Sequence, residues 1–249
     1  MDPARVELKV SVGGDRLDAV RRELGFRKSA ATQATIWFAD LPLPGGGASA
    51  FALADRGVIV RLRRQRGLDA GGSDATVKFR REAPFLLPAG WPPTPDDGFK
   101  VEGDWTAKRR TVAASLSATV GADLVDAIAQ TGRLSARLFA DQQRRFATDL
   151  VMPDPVDLAA LRPLGPIRAW RWEEAERDDL GNELGAELWE ADDLAFFEMS
   201  MRVKLANAPT WLERFTKWAE DKRLPPSMGI TKTQAVMEHF AARPAPPTE

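Results

Sequence analysis

The chain has no cysteine, no tyrosine and a single histidine, His239. Without cysteine there is no disulfide, no thiolate nucleophile and no thiolate metal site. One histidine excludes a histidine-rich zinc site and argues against a Ser-His-Asp relay. A large charge excess is also lacking. The 249 residues carry 35 Lys and Arg against 36 Asp and Glu, a net charge of −1. No global basic field therefore recruits nucleic acid, and any anion site must come from a local concentration of Lys and Arg. No apolar run approaches the ~20 residues of a membrane helix, and the N-terminus lacks a signal-peptide core. A chain with no membrane association is expected, and the absence of cysteine fits a cytoplasmic location.

What is present is an ordinary globular composition, 44% hydrophobic and 29% charged, with a specific pattern inside it. Val6, Leu8, Val10 and Val12 alternate with Arg5, Glu7, Lys9 and Ser11. Val58, Val60 and Leu62 alternate with Arg61 and Arg63, and Val77 and Phe79 with Lys78 and Arg80. Val101 lies between Lys100 and Glu102, with Asp104 next on the charged side. Phe197, Met199, Met201 and Val203 alternate with Glu198, Ser200, Arg202 and Lys204. Strand side chains point to opposite faces in turn, so each segment has one apolar and one charged face. An open sheet would show the charged face to water. A closed barrel would turn it inward and cover the apolar outside with helices.

The remaining segments read as mixed strand and helix without an internal repeat. Strands are expected near 4–12, 34–39, 58–65, 75–82, 99–105, 167–173, 184–190 and 194–205. Asp15 is placed to cap a helix with the stripe Leu17, Val20 and Leu24, stopped by Gly25. A helix is expected around 114–131, ending at Gly132, and Arg137–Ala147 fits helix or strand equally. One C-terminal helix packs Trp211, Leu212, Phe215 and Trp218 and stops before Pro225 and Pro226. Another starts at the Thr231/Gln234 capping box and buries Val236 and Phe240. Pro42–Gly47, Gly67–Ser73 and Pro84–Gly98 read as loops, and Pro244–Glu249 as a disordered tail. Gly45–Gly47 lacks the Lys-Ser/Thr that a phosphate-binding P-loop requires. Residues 1–243 are expected to form one domain. Trp170, Trp172 and Trp189 read as packing between barrel and helices, and Glu187 fits an inward or an outward position.

The order of these motifs resembles the CYTH, or triphosphate tunnel metalloenzyme, superfamily. Arg5-Val-Glu7-Leu-Lys9 looks like its Glu-x-Glu-x-Lys strand. Trp37-Phe-Ala-Asp40 falls where the family has an aromatic strand ending in Asp-Thr. Phe51–Gly57 followed by Val60-Arg61-Leu62-Arg63 resembles its Leu-Arg-x-Arg strand. Ala75-Thr-Val-Lys78 resembles Thr-x-Lys, and Lys100-Val-Glu102-Gly-Asp104 resembles Arg-x-Glu-x-Glu. Arg144-Arg145-Phe146 resembles a later strand with an essential arginine, and Phe197-Glu198-Met-Ser200 the closing Glu-x-Glu strand. The match spans roughly residues 4–240 and implies an α+β fold, an eight-stranded antiparallel β tunnel barrel with helices packed outside.

The resemblance also implies a chemistry: metal-dependent hydrolysis of inorganic tripolyphosphate or of an organic or nucleoside triphosphate. A triphosphate carries several negative charges, and arginine forks and lysine ammoniums suit it. Lys9, Arg61, Arg63, Lys78, Arg80, Lys100 and one of Arg144 or Arg145 are the expected phosphate ligands. Glu7, Glu102, Asp104 and Glu198 are the expected ligands of magnesium or manganese, which prefer oxygen donors. Glu7, Lys9 and Glu198 are expected to act in catalysis. Two positions depart from the family pattern. Arg5 stands where the first strand has its leading glutamate, and Ser200 where the last has its second. Both remove a metal ligand, which leaves open a catalytically impaired module that binds triphosphate or polyphosphate. Arg80, Arg202 and Lys204 each also fit a tunnel mouth with no specific role.

Overall fold

The computed structural model describes residues 4–14, 16–41, 51–66, 72–82, 91, 98–151, 156–177, 179–224 and 231–242. The expectations for Asp15, for the loops at 42–47, 67–71, 84–90 and 92–97, for Pro225 and Pro226 and for the tail at 244–249 lie outside these residues. Nine strands form a single closed sheet: β1 (Arg5–Gly13), β2 (Thr32–Asp40), β3 (Val58–Arg66), β4 (Ser73–Arg81), β5 (Phe99–Trp105), β6 (Arg110–Val120), β7 (Arg162–Arg177), β8 (Asn182–Ala191) and β9 (Leu194–Lys204). Around the barrel the order is β1-β5-β6-β4-β3-β2-β7-β8-β9, closing on β1. Every neighbouring pair is antiparallel except β1 and β5, which run parallel with Glu7 level with Asp104.

The expected count of eight antiparallel strands is thus corrected to nine strands with one parallel pair. The additional strand is β6, read from sequence as the start of a helix over 114–131. Its alanines favour a helix by propensity, yet the segment alternates. Ala113, Ser115, Ser117 and Thr119 share one face, and Val112, Ala114 and Leu116 are buried on the other. The helix α2 (Ala122–Thr131) begins only after Gly121, and Gly132 ends it in the left-handed conformation at φ 63°.

Two apolar layers cover the outside. Leu8, Val12, Met199, Met201 and Val203 pack under α1 (Leu17–Glu23) and α4 (Ala208–Asp221), with Leu17, Val20, Leu212, Phe215 and Trp218 buried. Val60, Leu62, Val77 and Leu116 pack under α2 and α3 (Asp141–Val151), with Val125, Ile128 and Phe146 buried. A leucine or phenylalanine buried this fully contributes ~1.5–3 kcal/mol. Gln143 fastens α3: its amide donates to the carbonyls of Ala75 (2.7 Å) and Leu116 (3.1 Å), and its oxygen caps the Ala140 N–H.

A third apolar cluster lies inside the barrel. Ile36 and Phe38 pair with Arg63 and Arg61 and therefore share their inward face. They join Ile167, Trp189 and Phe196 around Val236, Met237 and Phe240 of α5 (Lys232–Ala241). This helix closes the end of the barrel where β1 finishes. Thr231 caps it by accepting the Gln234 N–H at 3.2 Å, while the Gln234 side chain turns to Glu238 instead of completing the capping box.

Candidate anion-binding interior of the barrel

The alternation of β1, β3, β4, β5 and β9 turns their charges into one cavity of ≈ 840 Å³, open at the end where β1 begins. Arg5, Lys9, Arg61, Arg63, Lys78, Arg80, Lys100, Arg171, Arg202 and Lys232 line it. Glu7, Asp74, Glu102, Glu187 and Glu198 line it too, and Asp104 bounds a small adjoining pocket that shares Lys9, Arg80 and Lys232. The ten cations of the cavity against its five carboxylates and the adjoining Asp104 leave a formal excess of four positive charges, before Lys108 and Arg109 of the adjoining pocket are counted, in a chain whose net charge is −1.

Asp104 is the hub of one cluster. It accepts from Arg80 at 2.8 Å and from Lys9 at 3.1 Å, with Lys78 at 3.7 Å. Burial would raise its pKa, but Lys9, Arg80 and Lys78 pull it well below the ordinary carboxylate range. Lys9 also donates to Glu7 at 3.0 Å. Burial would lower its pKa, and Asp104 and Glu7 together hold it above the usual lysine value. Lys78 behaves oppositely: burial, then the charge of Arg80, brings it down to about 7. Arg202 reaches Glu7 at 3.4 Å and Glu102 at 4.0 Å.

A second cluster lies at the closed end. The first helical residue of α5, Lys232, has a side chain only 10% exposed. It donates to Glu187 at 2.5 Å and to Glu198 at 2.8 Å. Burial pushes Glu187 up, but Lys232 brings it down to about 2. Ser11 donates to Glu198 at 3.2 Å. A third cluster is on the wall of β3 and β4. Asp74 accepts from Arg63 at 2.6 Å and from Arg61 at 3.4 Å, and Thr76 lies 2.9 Å from Ser117. Burial and the neighbouring Arg63 lower the pKa of Arg61.

Glu7, Lys9, Arg61, Arg63, Lys78, Arg80, Lys100, Glu102, Asp104 and Glu198 all border this interior. Arg144 and Arg145 do not, and their expected strand is corrected to the outer helix α3. Arg144 donates to the carbonyls of Ala136 (2.8 Å) and Phe139 (2.5 Å) and to Asp141, while Arg145 pairs with Asp149. Helical spacing of Phe139, Gln143, Phe146, Ala147 and Leu150 explains the difference, since it buries one stripe and leaves both arginines on the other side.

The expected metal ligands are not gathered as one set either. Glu198 stands opposite Ser11, and Arg202 opposite Glu7. Glu7 and Glu198 are thus four residues apart along the ladder, about 13 Å at the usual strand rise. Among the described residues no three Asp, Glu or His side chains converge as a metal would need. Sequence reasoning missed Lys232, Asp74 and Arg171. Asp74 continues the alternation of β4 by two steps and was findable. Lys232 was not, because nothing local says that a helix start enters a barrel. Asp40, expected from its strand-ending motif, has a structural role: it accepts the N–H groups of Leu41, Leu53 and Ala54 and ties β2 to the turn before β3.

No protein-family model matches this sequence, and no curated protein does. Solved structures do match in fold. One is a candidate adenylyl cyclase from Hippeastrum, described as revealing a dominant triphosphatase activity. It is 15% identical, with a TM-score of 0.58 over 94% of this chain and 95% of that one. Another is a candidate adenylate cyclase from Bacillus halodurans, 11% identical, with a TM-score of 0.54 over 93% of this chain and 98% of that one. Identities this low relate the folds alone.

Proposed function

We propose that the barrel interior binds a linear triphosphate and that this chain is a divergent member of the CYTH, or triphosphate tunnel metalloenzyme, superfamily. The reaction proposed is hydrolysis of a phosphoanhydride of inorganic tripolyphosphate or of an organic or nucleoside triphosphate. The observation that carries the reading is the excess of four positive charges inside a cavity of ≈ 840 Å³. Unmatched charge of that size is costly to confine away from water, and a bound polyanion offsets it.

The roles follow from position. Arg61 and Arg63 on β3, Lys78 and Arg80 on the adjoining β4, and Lys9 on β1 grip successive phosphate groups, the arginines as forks and the lysines as point charges. Lys100, Arg5 and Arg202 meet the end of the ligand at the open mouth. Phosphoryl transfer needs alignment and charge stabilisation above all, and these fixed cations supply both. Glu7 and Glu198 are the candidate acceptors for the proton of an attacking water. Burial and Lys9 act oppositely on Glu7, and its pKa is lowered overall, which makes it a weak base.

That weakness, and the cation paired with each expected catalytic carboxylate, favours the second reading of tight binding with little turnover. Phosphate release from tripolyphosphate, ATP and thiamine triphosphate, run beside thermal melts with each anion, separates the two. Turnover supports the hydrolase, and stabilisation without release supports the binding module. Replacing Arg63 or Lys78 with alanine should abolish the stabilisation, and an unchanged shift would remove the interior as the site.

A further inference from the structure

At two places inside the barrel where carboxylates stand level across the ladder, a cation of the chain bridges them. Glu7 and Asp104 are level on β1 and β5, and the Lys9 ammonium bridges them at 3.0 and 3.1 Å. Glu187 and Glu198 are level on β8 and β9, and the Lys232 ammonium bridges them at 2.5 and 2.8 Å. The residue across the ladder from Glu7 is Arg202, which reaches Glu7 and Glu102 together. Arg5 lies on the same inward face two residues before Glu7. These carboxylates do not fit a divalent ion. A metal at Glu7 and Asp104 would have Lys9, Lys78, Arg80 and Arg202 around it, each repelling it. A metal spanning Glu7 and Glu198 would have to bridge four residues of strand.

We propose that Lys9, Lys232 and Arg202 take the electrostatic place of a divalent cation, so that this interior binds its triphosphate as the metal-free anion. The inference rests on the triphosphate reading and adds its ionic form. Magnesium then competes, because chelation removes charge from the ligand that the fixed cations would otherwise meet. The tunnel selects the bare polyanion and needs no loaded metal to close around it.

The test is calorimetric titration of sodium tripolyphosphate into the full chain, once with EDTA and once with excess magnesium. A parallel series follows manganese by its paramagnetic resonance with no anion present. Binding in EDTA that is at least as tight as in magnesium, with no manganese held by the wild type, is the expected result. Excess magnesium should weaken it by about tenfold, the factor that ~1.4 kcal/mol corresponds to. The double variant R5E/R202E puts carboxylates beside Glu7 in place of two cations and should acquire manganese, provided its melt is still cooperative. Binding that appears only with magnesium, or stoichiometric manganese on the wild type, overturns the inference and leaves the triphosphate reading standing. No binding in either medium overturns both.

Discussion

The two ends of the barrel interior belong to one closed sheet and are filled in opposite ways. At the closed end the inward positions are Ile36, Phe38, Trp189 and Phe196, and the filling is α5 with Val236 and Phe240. Toward the open end the inward positions are Arg5, Glu7, Asp74, Lys100 and Arg202, and they surround a cavity. One end is completed by the chain's own apolar helix. The other is lined by charge, and the proposed triphosphate would complete it. Lys232 marks the boundary, since it begins the filling helix and ends in the charged cluster. The contrast teaches that inward alternation specifies a barrel but not what fills it; the chemistry of the inward residues does that.

The largest effects expected from breaking this contrast are on stability. At the closed end, Phe240→Ala removes a side chain 4% exposed and should cost about 3–5 kcal/mol in denaturant unfolding. Added tripolyphosphate should restore part of the melting temperature if the open end remains intact. An undiminished melting temperature would mean that α5 does not fill the barrel.

Asp104→Asn attacks the charged end. It leaves Lys9, Lys78 and Arg80 without their shared carboxylate, and removing one partner of a buried ion cluster typically costs about 3–5 kcal/mol. Tripolyphosphate should stabilise this variant more than it stabilises the wild type. Equal stabilisation of both would separate the cluster from the anion site.

A smaller, graded effect is expected from pH. Lys78 is held near 7 by burial and by Arg80. Its folded pKa lies below its ordinary 10.5, so it destabilises the fold progressively as pH falls from 10.5, and fully below about 7. A bound polyanion favours the charged form. Binding should therefore take up a proton above pH 7, and affinity should fall as pH rises through 7, by at most about tenfold per unit. Calorimetry in buffers of different ionisation enthalpy measures that uptake. Lys78→Arg should abolish the part due to this residue, and an unaltered proton uptake in that variant would assign it to the ligand alone.

The smallest effect is expected outside. Arg144→Ala and Arg145→Ala should leave tripolyphosphate affinity unchanged, because both side chains belong to the outer face of α3. A large loss in either would place an anion contact on the wrong side of the wall.

Much of the barrel was legible because charge and apolarity alternate strictly on β1, β3, β4, β5 and β9. Strands β2, β7 and β8 were found from their apolar and aromatic runs, though β7 extends well past 167–173. The ninth strand was not legible, because β6 faces the interior with alanine, serine and threonine instead of charges. Small residues there leave room in the cavity and at the same time mimic a helix. Without β6 the parallel pairing of β1 and β5 could not be foreseen. Arg144 and Arg145 misled in the reverse sense, since a short basic-aromatic motif says nothing of period, whereas the stripe from Phe139 to Leu150 does. The dispersal of the expected metal ligands depended on ladder register: whether Glu198 or Arg202 faces Glu7 is decided by pairing across 195 residues of sequence.

The most direct measurement is a titration of tripolyphosphate into the wild-type chain and into Arg63→Ala at moderate salt. The account predicts one saturable site per chain in the wild type, weakened by added salt, and none in the variant. Binding that is absent from the wild type, or unchanged in Arg63→Ala, would contradict the barrel interior as a triphosphate site.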